Sequence, residues 1–281
     1  MKKGLIMEGG AMRGMYTAGV TDVFMENGIT FDGAIGVSAG AIFGCNYKSN
    51  QPGRTIRYNK KYCNDRRYSS IKSLITTGNL YNVEFAYKEL PTKLDPFDAE
   101  TFSNSPMEFY VVATDIESGE AVYYKCDKGD SVDIDWMRAS AAMPIFTKVV
   151  ELDGYKLSDG GAADSIPINY LESLGYDRNV VILTQPKGFV KTPNKYMPLL
   201  RRLFRKYPNF INTLEHRHEI YNDTIRYIDE REKEGNTFVI RPSEPLNIGA
   251  REKDERELER VYQIGRKDAL KIVGEVKSFL A

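Results

Sequence analysis

The first forty residues constrain this chain most, because they alternate in structural type. Gly4 to Met7 is an apolar run of strand length, a glycine-rich turn follows, and apolar residues recur through Val20, Val23 and Phe24 up to Gly28 at helical spacing. A second apolar run, Phe31 to Val37, comes next. Two strands joined by a helix pair in parallel, so a βαβ start and an α/β sheet covered by helices are expected. The second strand runs into Gly36-Val37-Ser38-Ala39-Gly40, and Ala41-Ile42-Phe43 opens a further helical run.

A serine at a strand–turn–helix junction between two glycines has the setting of a nucleophile elbow. Gly36 and Gly40 leave room in a turn too tight for flanking Cβ atoms, and the new helix N-terminus favours developing negative charge. The same serine also suits a plain helix cap. Upstream, Glu8-Gly9-Gly10-Ala11-Met12-Arg13-Gly14 follows the first strand directly. It has neither the Gly-Lys-Ser/Thr of a P-loop nor a Gly-x-Gly-x-x-Gly fingerprint. Its adjacent glycines allow backbone N–H groups to face a cleft as oxyanion donors, with Arg13 pinning the loop or raising the local positive potential.

A nucleophilic serine needs a base, and the chain has two histidines, His216 and His218. They stand two residues apart in a polar, helix-compatible stretch and do not share a helix face. Both read as surface residues. The remaining candidate is a carboxylate: Asp159 closes a short Tyr155-Lys156-Leu157 strand and precedes Gly160-Gly161, which permit a sharp bend. No Cys/His spacing suggests a metal, and Cys45, Cys63 and Cys126 read as reduced, packed thiols. No cofactor is expected.

Acidic and basic residues balance at 39 each, so no global field favours nucleic acid. The apolar start is too short for a secretory signal, and no run has membrane-spanning length, which makes a cytoplasmic protein the expectation. Gly53 to Glu89 reads as a helical insertion ended by Gly78-Asn79 and Pro91. Phe109 to Thr114 and Glu120 to Lys125 read as paired strands, and Asp133 to Ala142 as a helix with Asp133 or Asp135 near its cap. Val180 to Thr184 and Phe238 to Ile240 complete the strand signals, and Arg251 to Phe279 is a charged helical region. Between Lys187 and Lys206 seven basic residues stand among apolar and aromatic ones without one acid. That pattern suits a helix lying on an anionic membrane surface, or an amphipathic helix packed on the core.

Three blocks, Gly9-Gly10-Ala11-Met12-Arg13-Gly14, Gly36-Val37-Ser38-Ala39-Gly40 and Asp159-Gly160-Gly161, resemble in that order the patatin-like phospholipases. Ala113 to Glu120 and Arg138 to Pro144 extend the resemblance over residues 4 to 185. It implies an α/β fold with a mainly parallel central sheet flanked by helices. It also implies a Ser/Asp dyad hydrolysing acyl esters of lipids. Ser38 becomes the nucleophile, Asp159 the base, and the amides around Gly10, Ala11 and Met12 the oxyanion donors. Ala11 stands where many members have a third glycine, and a backbone donor survives that methyl group if φ is negative. An aspartate of ordinary pKa, about 3.9, is a feeble base for a hydroxyl, so burial must raise its proton affinity.

One domain over residues 1–281 is expected, with a motif-bearing core at 4–185 and a helical C-terminal region at 190–281. The expected partner is a lipid or acyl-ester substrate, with peripheral contact at an anionic inner membrane surface through segment 187–206. Alternatives are an esterase, thioesterase or acyltransferase on small acyl groups, or a non-catalytic lipid-binding or partner-binding relative.

Overall fold

The computed structural model describes all 281 residues, Met1–Ala281. Eight strands make one sheet: β1 (Lys2–Met7), β2 (Gly33–Val37), β3 (Glu108–Asp115), β4 (Ala121–Lys125), β5 (Val150–Leu152), β6 (Tyr155–Asp159), β7 (Tyr176–Ile182) and β8 (Thr237–Ile240). Their order is β5-β6-β3-β2-β1-β7-β8, with β4 also on β3. The strands β3, β2, β1, β7 and β8 run parallel. The hairpin partner β4 and the strand β6 are antiparallel to β3, and β5 is antiparallel to β6. The mainly parallel sheet expected from the first forty residues is present.

Strict alternation along the parallel strands buries both faces of this sheet. Leu5, Met7, Ala34, Val111, Ala113, Val180 and Ile182 join one core, while Ile6, Ile35, Tyr110, Val112 and Val181 join the other. The helices before β3 are α1 (Gly14–Glu26), α2 (Ala39–Lys48), α3 (Arg54–Tyr62), α4 (Ile71–Thr77) and α5 (Ala99–Asn104). After it come α6 (Ser131–Ser140), α7 (Ile168–Ser173), α8 (Met197–Leu203), α9 (Pro208–Lys233) and α10 (Glu255–Leu280). The first core takes side chains from α1, α2 and α10, and the second from α7 and α9.

Several expectations need correction. Pro91 does not end the insertion, because Glu84–Leu94 is a π-helix that carries Pro91 inside it. The cap of α6 is Asp130, whose carboxylate accepts from the amides of Val132 and Asp133. Asp133 instead accepts from the amides of Lys128 and Gly129. The strand expected at Phe238 to Ile240 within the otherwise helical C-terminal region is present as β8, paired with β7 in the same sheet. Segment 187–206 is a helix only at Met197–Leu203.

Gly40 sits at the start of α2, where a Cβ would lie 2.3 Å from the Met7 carbonyl oxygen of β1. The elbow is therefore pressed directly on the neighbouring strand. Gly40→Ala should destabilise the fold by about 1–3 kcal/mol or more in denaturant unfolding. Gly274→Ala on α10, where a Cβ meets nothing within 4 Å, should be neutral or stabilising by up to about 1 kcal/mol.

Candidate active site

The site lies at the carboxyl ends of the parallel strands, where β1 is followed by β2 on one side and flanked by β7 on the other. That reversal of strand order is where open α/β sheets leave a crevice. Ser38 follows β2 at φ 54 and ψ −117. A β-carbon-bearing residue held there costs about 1–3 kcal/mol, and the surrounding contacts impose it. Its amide donates to Ser140 Oγ at 2.9 Å, tying the elbow to the end of α6. Ser38 Oγ donates to Asp159 Oδ2 at 2.6 Å.

Register explains how residues 121 positions apart meet. Val37 pairs with Val112 on β3, and Asp159 pairs with Ala113 on the same strand, so both chain ends arrive at one level. Gly160 then passes over β3 so closely that a Cβ would lie 2.0 Å from the Val112 carbonyl oxygen. The Asp159 amide donates to the Ala142 carbonyl at 2.9 Å, and Thr114 Oγ1 donates to the Asp159 carbonyl at 2.9 Å. Gly161 N donates to Asp159 Oδ1 at 2.8 Å, which fixes the carboxylate's orientation. Burial raises the Asp159 pKa above its ordinary value, while the Ser38 hydroxyl, the Arg217 charge and the Gly161 amide oppose that rise. The requirement that burial raise this acid's proton affinity is met.

The glycine-rich loop is pinned by Glu8. Its Oε2 accepts from Thr184 N at 2.6 Å and from Thr184 Oγ1 at 3.1 Å, and its Oε1 from Tyr221 Oη at 2.9 Å. The amides of Gly9 and Gly10 donate to no backbone or side-chain acceptor. Ala11, Met12 and Arg13 form a single 3-10 turn, and Gly14 opens α1. Ala11 has φ 49, so the negative φ under which its methyl group would be tolerated freely is not adopted. The left-handed conformation that suits glycine is kept by an alanine, at a cost of about 1–2 kcal/mol.

Two cavities meet at Ser38. One is almost wholly apolar, with Ile42, Phe43, Tyr58, Leu90, Phe97 and Met137 among its walls. The other is polar and contains Asp159, Glu8, Arg13, Lys191 and Arg217. The turn at Ala11–Arg13 divides them, with Met12 on the apolar side and Arg13 on the polar side. Neither histidine lines either cavity. His216 Nδ1 lies 2.9 Å from the Asn212 carbonyl and His218 Nδ1 2.9 Å from that of Glu215, both on α9. Sequence reasoning passed over Arg217, which lies between them and reaches the site, donating from Nε to the Gly161 carbonyl. It also passed over Ser140, Thr184 and Tyr221, ordinary polar residues without a motif, and read Lys191 as part of a surface stripe. Cys45, Cys63 and Cys126 are buried and unpaired.

The chain belongs to the patatin-like phospholipase family, whose match covers residues 5–172. Residues 207–281 match a second family, a domain of unknown function, DUF6363. Among curated proteins, the chain is 30% identical over 269 residues to the uncharacterized protein YjjU of Escherichia coli (strain K12), covering 93% of this chain and 74% of that protein. It is 24% identical over 178 residues to an uncharacterized NTE family protein of Mycobacterium tuberculosis, covering 63% of this chain and 48% of that one. A lysophospholipase of Aspergillus niger is 25% identical over 208 residues, 69% of this chain and 12% of its own length. The chain thus spans about three quarters of the first relative and about half of the second.

An aspartate with a raised native pKa favours the proton in the folded state. Its charge therefore penalises folding increasingly as the pH rises from the unfolded pKa to the native one, and the penalty disappears on acidification below the unfolded value. Asn at this position keeps an acceptor for Gly161 N and removes the charge. Asp159→Asn should accordingly melt at a higher temperature than the wild type at pH 7, with the difference vanishing towards pH 4, as thermal unfolding across that range would reveal.

Proposed function

We propose that the protein is a serine acyl hydrolase that cleaves acyl esters of lipids with Ser38 as nucleophile and Asp159 as base. The observation that carries this reading is the 2.6 Å hydrogen bond from a strained, buried serine to a buried carboxylate, at the junction of an apolar and a polar cavity. Asp159 takes the hydroxyl proton as Ser38 Oγ attacks the ester carbonyl carbon. The carbonyl oxygen becomes an oxyanion facing the amides of Gly10, Ala11 and Met12, with Arg13 beside them. The intermediate collapses by breaking the bond to the alcohol, which leaves with the proton from Asp159. Water then attacks the acyl-serine and gives a proton to Asp159, which returns it to Ser38 Oγ as the bond to the departing acid breaks.

The apolar cavity suits the acyl chain, and a hydrophobic wall there excludes competing water near the carboxylate. Family membership and the lysophospholipase among the relatives support an acyl-ester substrate. Residues 1–281 act as one unit in this reading, because Arg217 of the C-terminal region stands beside Asp159.

No helix is long and apolar enough to cross a membrane. A membrane-bound substrate would be met at the surface, and α8 with its flanks offers the means. Tyr196, Leu199 and Leu203 are exposed there, among the exposed cations Lys195, Arg202, Arg205 and Lys206. Apolar side chains ringed by positive charge fit an anionic bilayer surface.

Ser38→Ala should abolish hydrolysis of nitrophenyl esters of medium and long acyl chains with unchanged thermal unfolding. Asp159→Asn should lower kcat by about a thousandfold or more, because the pair acts as a unit. Near-normal turnover in either variant would refute the assignment. Vesicle co-sedimentation should rise with anionic lipid content and fall about tenfold in a Leu199→Glu, Leu203→Glu variant. Binding that ignores both changes would remove α8 from the account.

A further inference from the structure

The polar cavity holds more positive charge than the hydrolytic step requires. Arg13, Lys191 and Arg217 all line it, from three separate parts of the chain. The Lys191 ammonium has no carboxylate partner. It lies 4.1 Å from the centre of the Tyr221 ring, and the backbone of Lys191 is clamped in place by Asn222, which accepts its N–H and donates to its carbonyl, both at 2.9 Å. Arg217 donates to the Gly161 carbonyl from Nε and to Ser165 Oγ at 3.4 Å from Nη2, again without a carboxylate. Arg13 Nε is buried with no acceptor at all. The one acid nearby apart from Asp159 is Glu8, and both its oxygens are already engaged by Thr184 and Tyr221.

Arg13, Lys191 and Arg217 outnumber the two carboxylates that share the cavity, Glu8 and Asp159, and the imbalance bears on Lys191. Burial, with the Arg217 and Arg13 charges, pulls its pKa down to about 8 against the opposing pull of Glu8. Such an arrangement costs free energy unless an anion completes it. All three side chains line the polar cavity, which meets the apolar one at Ser38, so an ester whose acyl chain fills the apolar cavity would place its alcohol among them. The apolar cavity offers room for one acyl chain, and the three cations of the other favour an anionic group there.

Resting on the hydrolase reading above, we propose that Arg13, Lys191 and Arg217 form a subsite for a phosphate group on the alcohol side of the scissile ester. The preferred substrate is then a single-chain acyl glycerophosphate whose head group carries no balancing cation. Arginine offers phosphate a planar fork of donors, and lysine adds a compact charge. A choline-type head group would bring a quaternary ammonium among three cations and be disfavoured. This gives the C-terminal region, which supplies Arg217, a part in substrate choice.

The test compares three esters of one acyl chain: a monoacylglycerol, its 3-phosphate and the corresponding phosphocholine. The phosphate ester should have the highest kcat/KM, by about tenfold or more over the neutral ester, the range of one or two charged hydrogen bonds. That ratio should fall towards one in Lys191→Gln and be largely restored in Lys191→Arg. In the wild type it should decline as pH rises through about 8, where Lys191 loses its proton in the presence of Arg13, Arg217, Glu8 and Tyr221, and stay flat in Lys191→Arg. Equal ratios in all three proteins would overturn the subsite while leaving the hydrolase reading intact.

Titration of glycerol 3-phosphate into the Ser38→Ala protein tests the subsite without turnover, so it remains decisive if no ester is cleaved. Binding that weakens in a Ser38→Ala, Lys191→Gln variant supports the subsite. Absent or unchanged binding refutes it. Inorganic phosphate, titrated alongside, should bind more weakly than glycerol 3-phosphate. Equal or tighter binding would mark a free-phosphate site and overturn the substrate assignment.

Discussion

The hydrogen bond between Ser38 and Asp159 is the contact around which the rest of the molecule is arranged. Neither residue is favourable where it sits. Ser38 adopts a backbone conformation that only its surroundings enforce, and Asp159 is a buried carboxylate whose pKa is raised by the loss of water. Both costs are met by the sheet, whose register brings the ends of β2 and β6 to the same level on either side of β3. Close backbone approaches at Gly40 and Gly160 lock that level in place. A displacement of either strand by one residue would turn these side chains to opposite faces.

The second organising element is the division of space about Ser38. Met12 and Arg13 are neighbours in one short turn, yet they face different chambers, one apolar and one cationic. The pinning of Glu8 by Thr184 and Tyr221 connects that turn to β7 and α9, so loop position depends on elements far along the chain. The proposed ester, with an apolar tail and an anionic head, would occupy both chambers at once. Arg217 and Tyr221 of α9 are how the C-terminal region bears on the site.

Much of this was legible in the sequence, and the legible part has a physical pattern. Alternation of apolar residues set the βαβ start and the parallel sheet, because a strand buried on both faces has little freedom of composition. Gly40 announced a turn too tight for a side chain, whereas Gly160 read only as a bend and its close approach to β3 emerged from the fold. The corrections fall where a side chain's role depends on distant partners. Asp130 rather than Asp133 caps α6, because the helix starts two residues earlier than the apolar spacing suggests and Asp133 falls within its first turn. Lys191 reads as one of seven surface cations, and its half-buried place over the Tyr221 ring follows from how α9 packs, which no local pattern encodes. Arg217 was hidden by its neighbours, two histidines that drew the search for a base while pointing elsewhere.

The central claim is that Asp159, and no imidazole, activates Ser38. Labelling with a fluorophosphonate across pH, followed by peptide mapping, tests it without knowledge of the substrate. The account predicts one adduct, on Ser38, formed at a rate that falls on acidification through a pKa above the ordinary aspartate value and that persists in a His216→Ala, His218→Ala variant. A correctly folded double histidine variant that no longer labels, or a wild-type protein with its adduct elsewhere, would contradict it.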